Sequence, residues 1–181
     1  MPVSDEEVLA QTRRWLERAV IGLNLCPFAK AEYVNDRIRY CVSAAQSADD
    51  LLQALALELQ ALQAADAKVC ETTLLIHPRV LTDFLDYNDF LDAADALLQE
   101  LELDGVLQIA SFHPQYQFAG TAADDITNFT NRSPWPTLHL LREASIERAV
   151  QAFPDAARIF ERNTETLRRL GPEGWRQLFA D

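Results

Sequence analysis

Between residues 38 and 112, short β-branched runs alternate with long leucine stripes, and this rhythm restricts the fold more than any other feature of the chain. Ile38, Tyr40 and Val42 alternate with Arg39 and Cys41, the period of two expected of a strand. Ser47 and Asp50 then precede Leu51, Leu52, Leu55, Leu59 and Leu62, which recur at helical spacing behind a cap. Thr72 to Ile76 is a second strand-like run. Phe84, Leu85, Phe90, Leu91, Ala94, Leu97, Leu98 and Leu101 form the next helical stripe. Asp104-Gly105 is a turn, and Val106 to Phe112 reads as a third strand. Strand–helix–strand–helix–strand, with crossovers long enough for parallel connections, predicts an α/β fold, with α+β as the neighbouring alternative. The expected architecture is a small sheet of about three strands with a parallel core, flanked by about six helices. The strand order is not specified.

The flanks supply the other helices. Ser4 and Glu7 form a capping box before Val8, Thr12, Trp15, Leu16, Ala19, Val20 and Leu23, predicting a helix over 5–22. Thr137 to Phe153 reads as a helix. Pro154 suits the first turn of another that runs to Leu170 and stops at Gly171. A short last helix carries Trp175, Leu178 and Phe179. With no repeat and no low-complexity linker, residues 1–181 are expected to form one domain.

Charge narrows the partners. The formal net charge is −12, which disfavours general binding to nucleic acid and to anionic membrane surfaces. Residues 45–105 hold thirteen acids against Lys68 and Arg79, so nearly all the excess lies there. The simplest source is two helices with solvated acidic faces. No apolar run approaches the ~18 residues of a membrane span. Met1 to Glu7 carries acids where a secretory signal carries cations, so a cytoplasmic protein is expected. Cys26, Cys41 and Cys70 are odd in number and widely spaced, without a CxxC or zinc-ribbon pattern. The sequons at Asn128 and Asn131 are chance matches in such a compartment.

Residues 113–136 break the rhythm: about 24 residues without clear periodicity in a chain of short connections. Tyr116, Phe118, Ile126, Phe129 and Trp135 anchor the segment, and short polar side chains crowd it. Asp124, Asp125, Asn128 and Asn131 suit turn-making. The same residues also suit a site: Asp124 or Asp125 as base or metal ligand, Asn128 and Asn131 as substrate contacts, Arg132 as a bidentate holder of carboxylate or phosphate. His77 and His113 each end a strand and precede a proline, which places them on the rim where open parallel sheets bind ligands. Both also suit strand ends that bond nearby backbone. On a helix, His139, Arg142, Glu143 and Ile146 share a face. That face is either a surface cluster or one side of a cleft.

Cys26 lies in Leu25-Cys26-Pro27-Phe28-Ala29, a string similar to the active-site stretch of omega-class glutathione transferases. There it follows a strand, whereas here it follows an amphipathic helix, which counts against that fold. A buried structural cysteine and a nucleophilic thiol both remain open.

Longer strings act together. They are Leu23 to Ala29, then Glu71 to Leu75 with Asp83-Phe84 and Tyr87-Asn88, and then Ser111-Phe112-His113-Pro114. Asp124-Asp125 and Asn128 to Pro136, running into Leu138 to Glu143, complete them. With these motifs the chain resembles, over nearly its whole length, a bacterial family known as domain of unknown function 1415 (DUF1415). The resemblance implies a single-domain bacterial protein and implies no activity.

Three functions follow from the residues. The first is a small-molecule enzyme, hydrolytic or metal-assisted, acting on an anionic substrate. Its catalytic candidates are His113, Asp124, Asp125, His139 and Cys26, and its substrate contacts Asn128, Asn131, Arg132, Arg142 and Glu143. His77, His113 and His139 are the candidate ligands of a divalent metal ion. The second is a non-enzymatic module that binds a metabolite or a protein. The third is a thiol redox protein using Cys26, which requires a depressed thiol pKa. Five glycines and no phosphate loop, dinucleotide fingerprint or serine elbow speak against nucleotide-driven chemistry. No pattern specifies the oligomeric state.

Overall fold

A computed structural model describes residues 2–153 and 155–181. Its centre is one sheet in the order β1-β2-β4-β3, built from β1 (Ile38–Val42), β2 (Thr72–Ile76), β3 (Leu107–Phe112) and β4 (Thr137–Arg142). β1 and β2 are parallel, with Ile38 opposite Thr72. β4 runs antiparallel to both β2 and β3. β1, β2 and β3 therefore share one direction, as the rhythm of the sequence predicts. The crossover from β2 to β3 skips one strand position, and β4 returns to fill it. The sheet is thus mixed and has four strands rather than about three. The fold is α/β.

Six α-helices are present among the described residues. α1 (Asp5–Trp15) is capped by the Ser4 side chain, which accepts the Glu7 N–H, and continues as a π-helical stretch, Leu16–Ile21. A side chain at Gly22 would run into the Arg18 carbonyl, so glycine lets the wide turn close. α2 (Ala29–Val34) is a short helix that carries no signal strong enough to predict it. α3 (Ala48–Ala64) starts where Ser47 accepts the Asp50 N–H, and Asp83 caps α4 (Phe84–Glu100) in the same way. α5 (Glu143–Ala152) follows β4 directly. α6 (Ile159–Leu178) bends at Gly171, whose φ of 69° lies in the left-handed region that glycine favours. The expected break at Gly171 and the short helix after it are both there. The expected helix start at Pro154 lies outside the described residues.

The sheet has two apolar faces. On one, Leu75, Leu138, Leu140 and Leu107 pack on the leucine stripes of α3 and α4 around Tyr87, Phe90 and Leu98. On the other, Leu74, Ile76, Tyr40 and Phe112 meet α1 and its π-helical extension through Val8, Trp15, Leu16 and Val20. The acids of residues 86–100 lie exposed on the outer side of α4. No helix among the described residues is long and apolar enough to cross a membrane.

The helix expected over Thr137–Phe153 is corrected. Its first six residues are β4, and only the remainder is helical. Leu138 and Leu140, both 0% exposed, share the α3/α4 face, so burial at a period of two overrides the helical spacing of Leu138 and Leu141. The helical face joining His139, Arg142, Glu143 and Ile146 does not form.

Candidate functional site

The rim histidines do converge, but as a packed clip rather than an open site. His77 and His113 follow the ends of β2 and β3, and the Tyr87 ring lies between them, with centroids 5.8 and 4.9 Å away. All three residues are fully buried. His77 Nδ1–H donates to the Val80 carbonyl (3.0 Å). His113 Nε2–H donates to the Leu81 carbonyl (3.1 Å), while its Nδ1 accepts the Gln115 N–H (3.0 Å). The two imidazoles thus pin the β2–α4 loop, where Leu81 holds a strained φ of 57°. Burial pushes the His77 pKa down to about 4 and lowers that of His113. Both rings are held in the neutral form by desolvation.

His139 lies mid-strand on the opposite face, where its Nε2–H donates to Thr72 Oγ1 (2.8 Å) and that hydroxyl donates to the Leu140 carbonyl. Burial brings its pKa down to about 4 as well. The three histidines therefore do not meet as a ligand set. Among the described residues, no three His, Cys, Asp or Glu side chains are grouped to hold a metal ion.

The other candidates separate in the same way. Asp125 caps a 3-10 turn, Ile126–Asn131, and accepts from the Thr127 N–H and hydroxyl, which hold its carboxyl below the usual range. Asp124 is exposed. Asn128, fully buried, accepts from the Phe118 N–H and the Thr121 hydroxyl and donates to the Ala122 carbonyl. Asn131 donates to the Ser111 carbonyl. These side chains fold the long segment onto itself. Arg142 sits at the other end of the sheet, opposite Leu107, and clasps the Ala65 and Cys70 carbonyls. Glu143 opens α5 beside it, its N–H donating to the Val106 carbonyl. Cys26 precedes α2, and burial pushes its thiol up, the reverse of what an activated nucleophile needs.

Arg132 differs from all of these. Its Nε and one terminal nitrogen donate to the Tyr116 and Ala123 carbonyls, and its guanidinium stacks 4.4 Å from the centre of the Phe129 ring. It makes no ion pair with a carboxylate among the described residues. Burial alone pulls its pKa below the ordinary value. This cation, held by carbonyls and a ring but by no carboxylate, lines a cavity of about 410 Å³ between α1, the 129–134 stretch and the end of α6. Trp15, Phe129, Trp175 and Phe179 form aromatic walls, with Pro114 and Pro134 between them. Phe129 meets Trp175 edge to face at 5.1 Å, and Trp175 meets Phe179 at 5.6 Å.

The polar lining consists of Arg14, Arg132, Gln11 and Ser133. Gln11 is occupied by the Trp135 indole N–H (2.9 Å), and the Ser133 hydroxyl donates to the Trp135 carbonyl. Trp15 Nε1 and Arg14 Nε are buried without a hydrogen-bond partner among the described residues. The cavity thus offers two guanidinium groups, and no carboxylate, imidazole or thiol lines it.

Sequence reasoning found Arg132 and the segment that carries it. It missed Arg14, Trp15, Trp175 and Phe179. Trp15 sits in a helical stripe that reads as core, and Trp175 and Phe179 mark only an amphipathic helix.

Fold and cavity together define a class: an α/β protein with one mixed four-stranded sheet and an aromatic cavity, lined by two arginines, beside its α1 face. The chain belongs to the family described as protein of unknown function (DUF1415), whose model matches residues 7–177. No curated protein and no solved structure matches it.

Proposed function

We propose that the protein binds a small amphipathic anion, a flat apolar body carrying a carboxylate or phosphate, in the cavity between α1 and α6. The observation that carries this reading is Arg132, a half-buried cation without a carboxylate partner, facing aromatic walls. Its carbonyl and ring contacts leave the positive charge without a counter-ion, and an anion that enters the cavity supplies one through a charge-assisted hydrogen bond. The rings take the apolar part of the ligand by burial and edge contacts. A binding role fits this lining better than hydrolysis does, because no carboxylate or imidazole lines it to act as general base and the Ser133 hydroxyl is bonded to the Trp135 carbonyl.

Trp15 and Trp175 are built-in reporters for the test. Titrating with phenyl phosphate and benzoate is expected to change their fluorescence saturably, and benzyl alcohol is expected to bind far more weakly. Arg132→Gln should weaken the anions by roughly tenfold or more, the value of a charge-assisted hydrogen bond. Arg132→Lys should restore part of that loss. Equal binding of benzyl alcohol and phenyl phosphate, or an unchanged affinity in Arg132→Gln, overturns the reading.

A further inference from the structure

We propose that the Asp181 carboxylate, carried by the segment from Leu178 to Asp181, is an internal competitor for the cavity's Arg14, which it holds until an anionic ligand displaces it while Phe179 stays in place as a wall. The inference rests on the anion-binding reading above. Arg14 lines the cavity, yet its outer edge is already engaged: one terminal nitrogen donates to the Phe179 carbonyl (2.8 Å) and pairs with the Asp181 carboxylate. Arg18, one helical turn on and on the same face of the helix, holds the same segment. It donates to the Leu178 carbonyl (2.9 Å) and reaches the Asp181 carboxylate at 3.7 Å.

Two features make this contact suited to exchange. Asp181 supplies the chemistry assigned to the ligand, a carboxylate on a cavity arginine, and Phe179 supplies one aromatic wall two residues earlier. The Asp181 side chain is also 79% exposed. Exposed ion pairs are worth little, so a ligand that buries its charge against Arg14 and Arg132 outcompetes this one.

Two substitutions separate this mechanism from simple charge. Asp181→Asn removes the competing carboxylate. Arg18→Gln loosens the same segment but also removes a cation, so long-range electrostatics alone would weaken anion binding there. The readout is the dissociation constant of phenyl phosphate, from tryptophan fluorescence at low ionic strength.

Both variants are expected to tighten binding about two- to fivefold, the range of an exposed ion pair. Tightening in Asp181→Asn with weakening in Arg18→Gln shows a charge effect only and overturns the proposal. Wild-type binding that neither variant tightens overturns it too, while leaving the anion-binding reading intact. Binding seen only in the two variants supports both ideas. No binding in any of the three proteins overturns both.

Discussion

Tyr87 shows how a buried side chain can join elements that the sequence keeps far apart. Its hydroxyl donates to the Thr137 carbonyl (2.7 Å) and accepts the Phe112 N–H (3.0 Å), bridging the end of β3 to the start of β4. Its ring separates His77 from His113. Tyr87→Phe keeps the ring but leaves a buried donor and a buried acceptor unpaired. It is expected to destabilise the protein by about 2–4 kcal/mol, measured by urea unfolding. A loss near zero would mean that water takes over both bonds. The two histidines could be located at strand ends from sequence, but their role could not. Whether a strand-end imidazole faces a cleft or pins a loop depends for His113 on the Leu81 carbonyl, 32 residues away in sequence, which only folding brings to it.

At the scale of elements, the strands β1, β2 and β3 and the helices α3 and α4 were legible because each is written in a local period. The Ser47 cap adds a local signal at the start of α3, whereas the Asp83 cap of α4 appears only in the structure. β4 was not legible, because Thr137 to Arg142 is short and its leucines fit both a period of two and a helical spacing. The vacant position between β2 and β3 resolves the ambiguity, since a strand there pairs on both sides. This arrangement makes neighbouring leucines unequal. Leu140, fully buried on the α3/α4 face, should cost about 2–5 kcal/mol when changed to alanine. Leu141, half-exposed on the other face, should cost clearly less in the same urea assay. Similar losses at both positions would argue against the strand.

For the whole molecule, the buried histidines set an acid limit. His77 is neutral in the fold, with a pKa near 4 against 6.5 when unfolded. His139 is depressed to about 4 and His113 is also lowered. The unfolded chain takes up protons below pH 6.5 that the fold refuses until about pH 4. Stability is therefore fully present above pH 6.5 and falls as pH drops through this window. At His77 a fall from 6.5 to about 4 corresponds to about 3 kcal/mol. Calorimetry across pH 7 to 4.5 should show the unfolding temperature falling before most carboxylates protonate, and a flat profile from 6.5 to 5 would refute this.

The sequence alone determined the features that depend on near neighbours: the α/β rhythm, the shared direction of the first three strands, the helix caps at Ser4 and Ser47, the break at Gly171 and the concentration of acid on the crossover helices. It also singled out Arg132. Tertiary structure alone decided the slot for β4, the clip around Tyr87 and the cavity itself. The cavity joins residues 11–15, 114, 129–134 and 175–179. No local period links such distant stretches, because contact between them comes from packing both faces of the sheet and not from the spacing of residues along the chain.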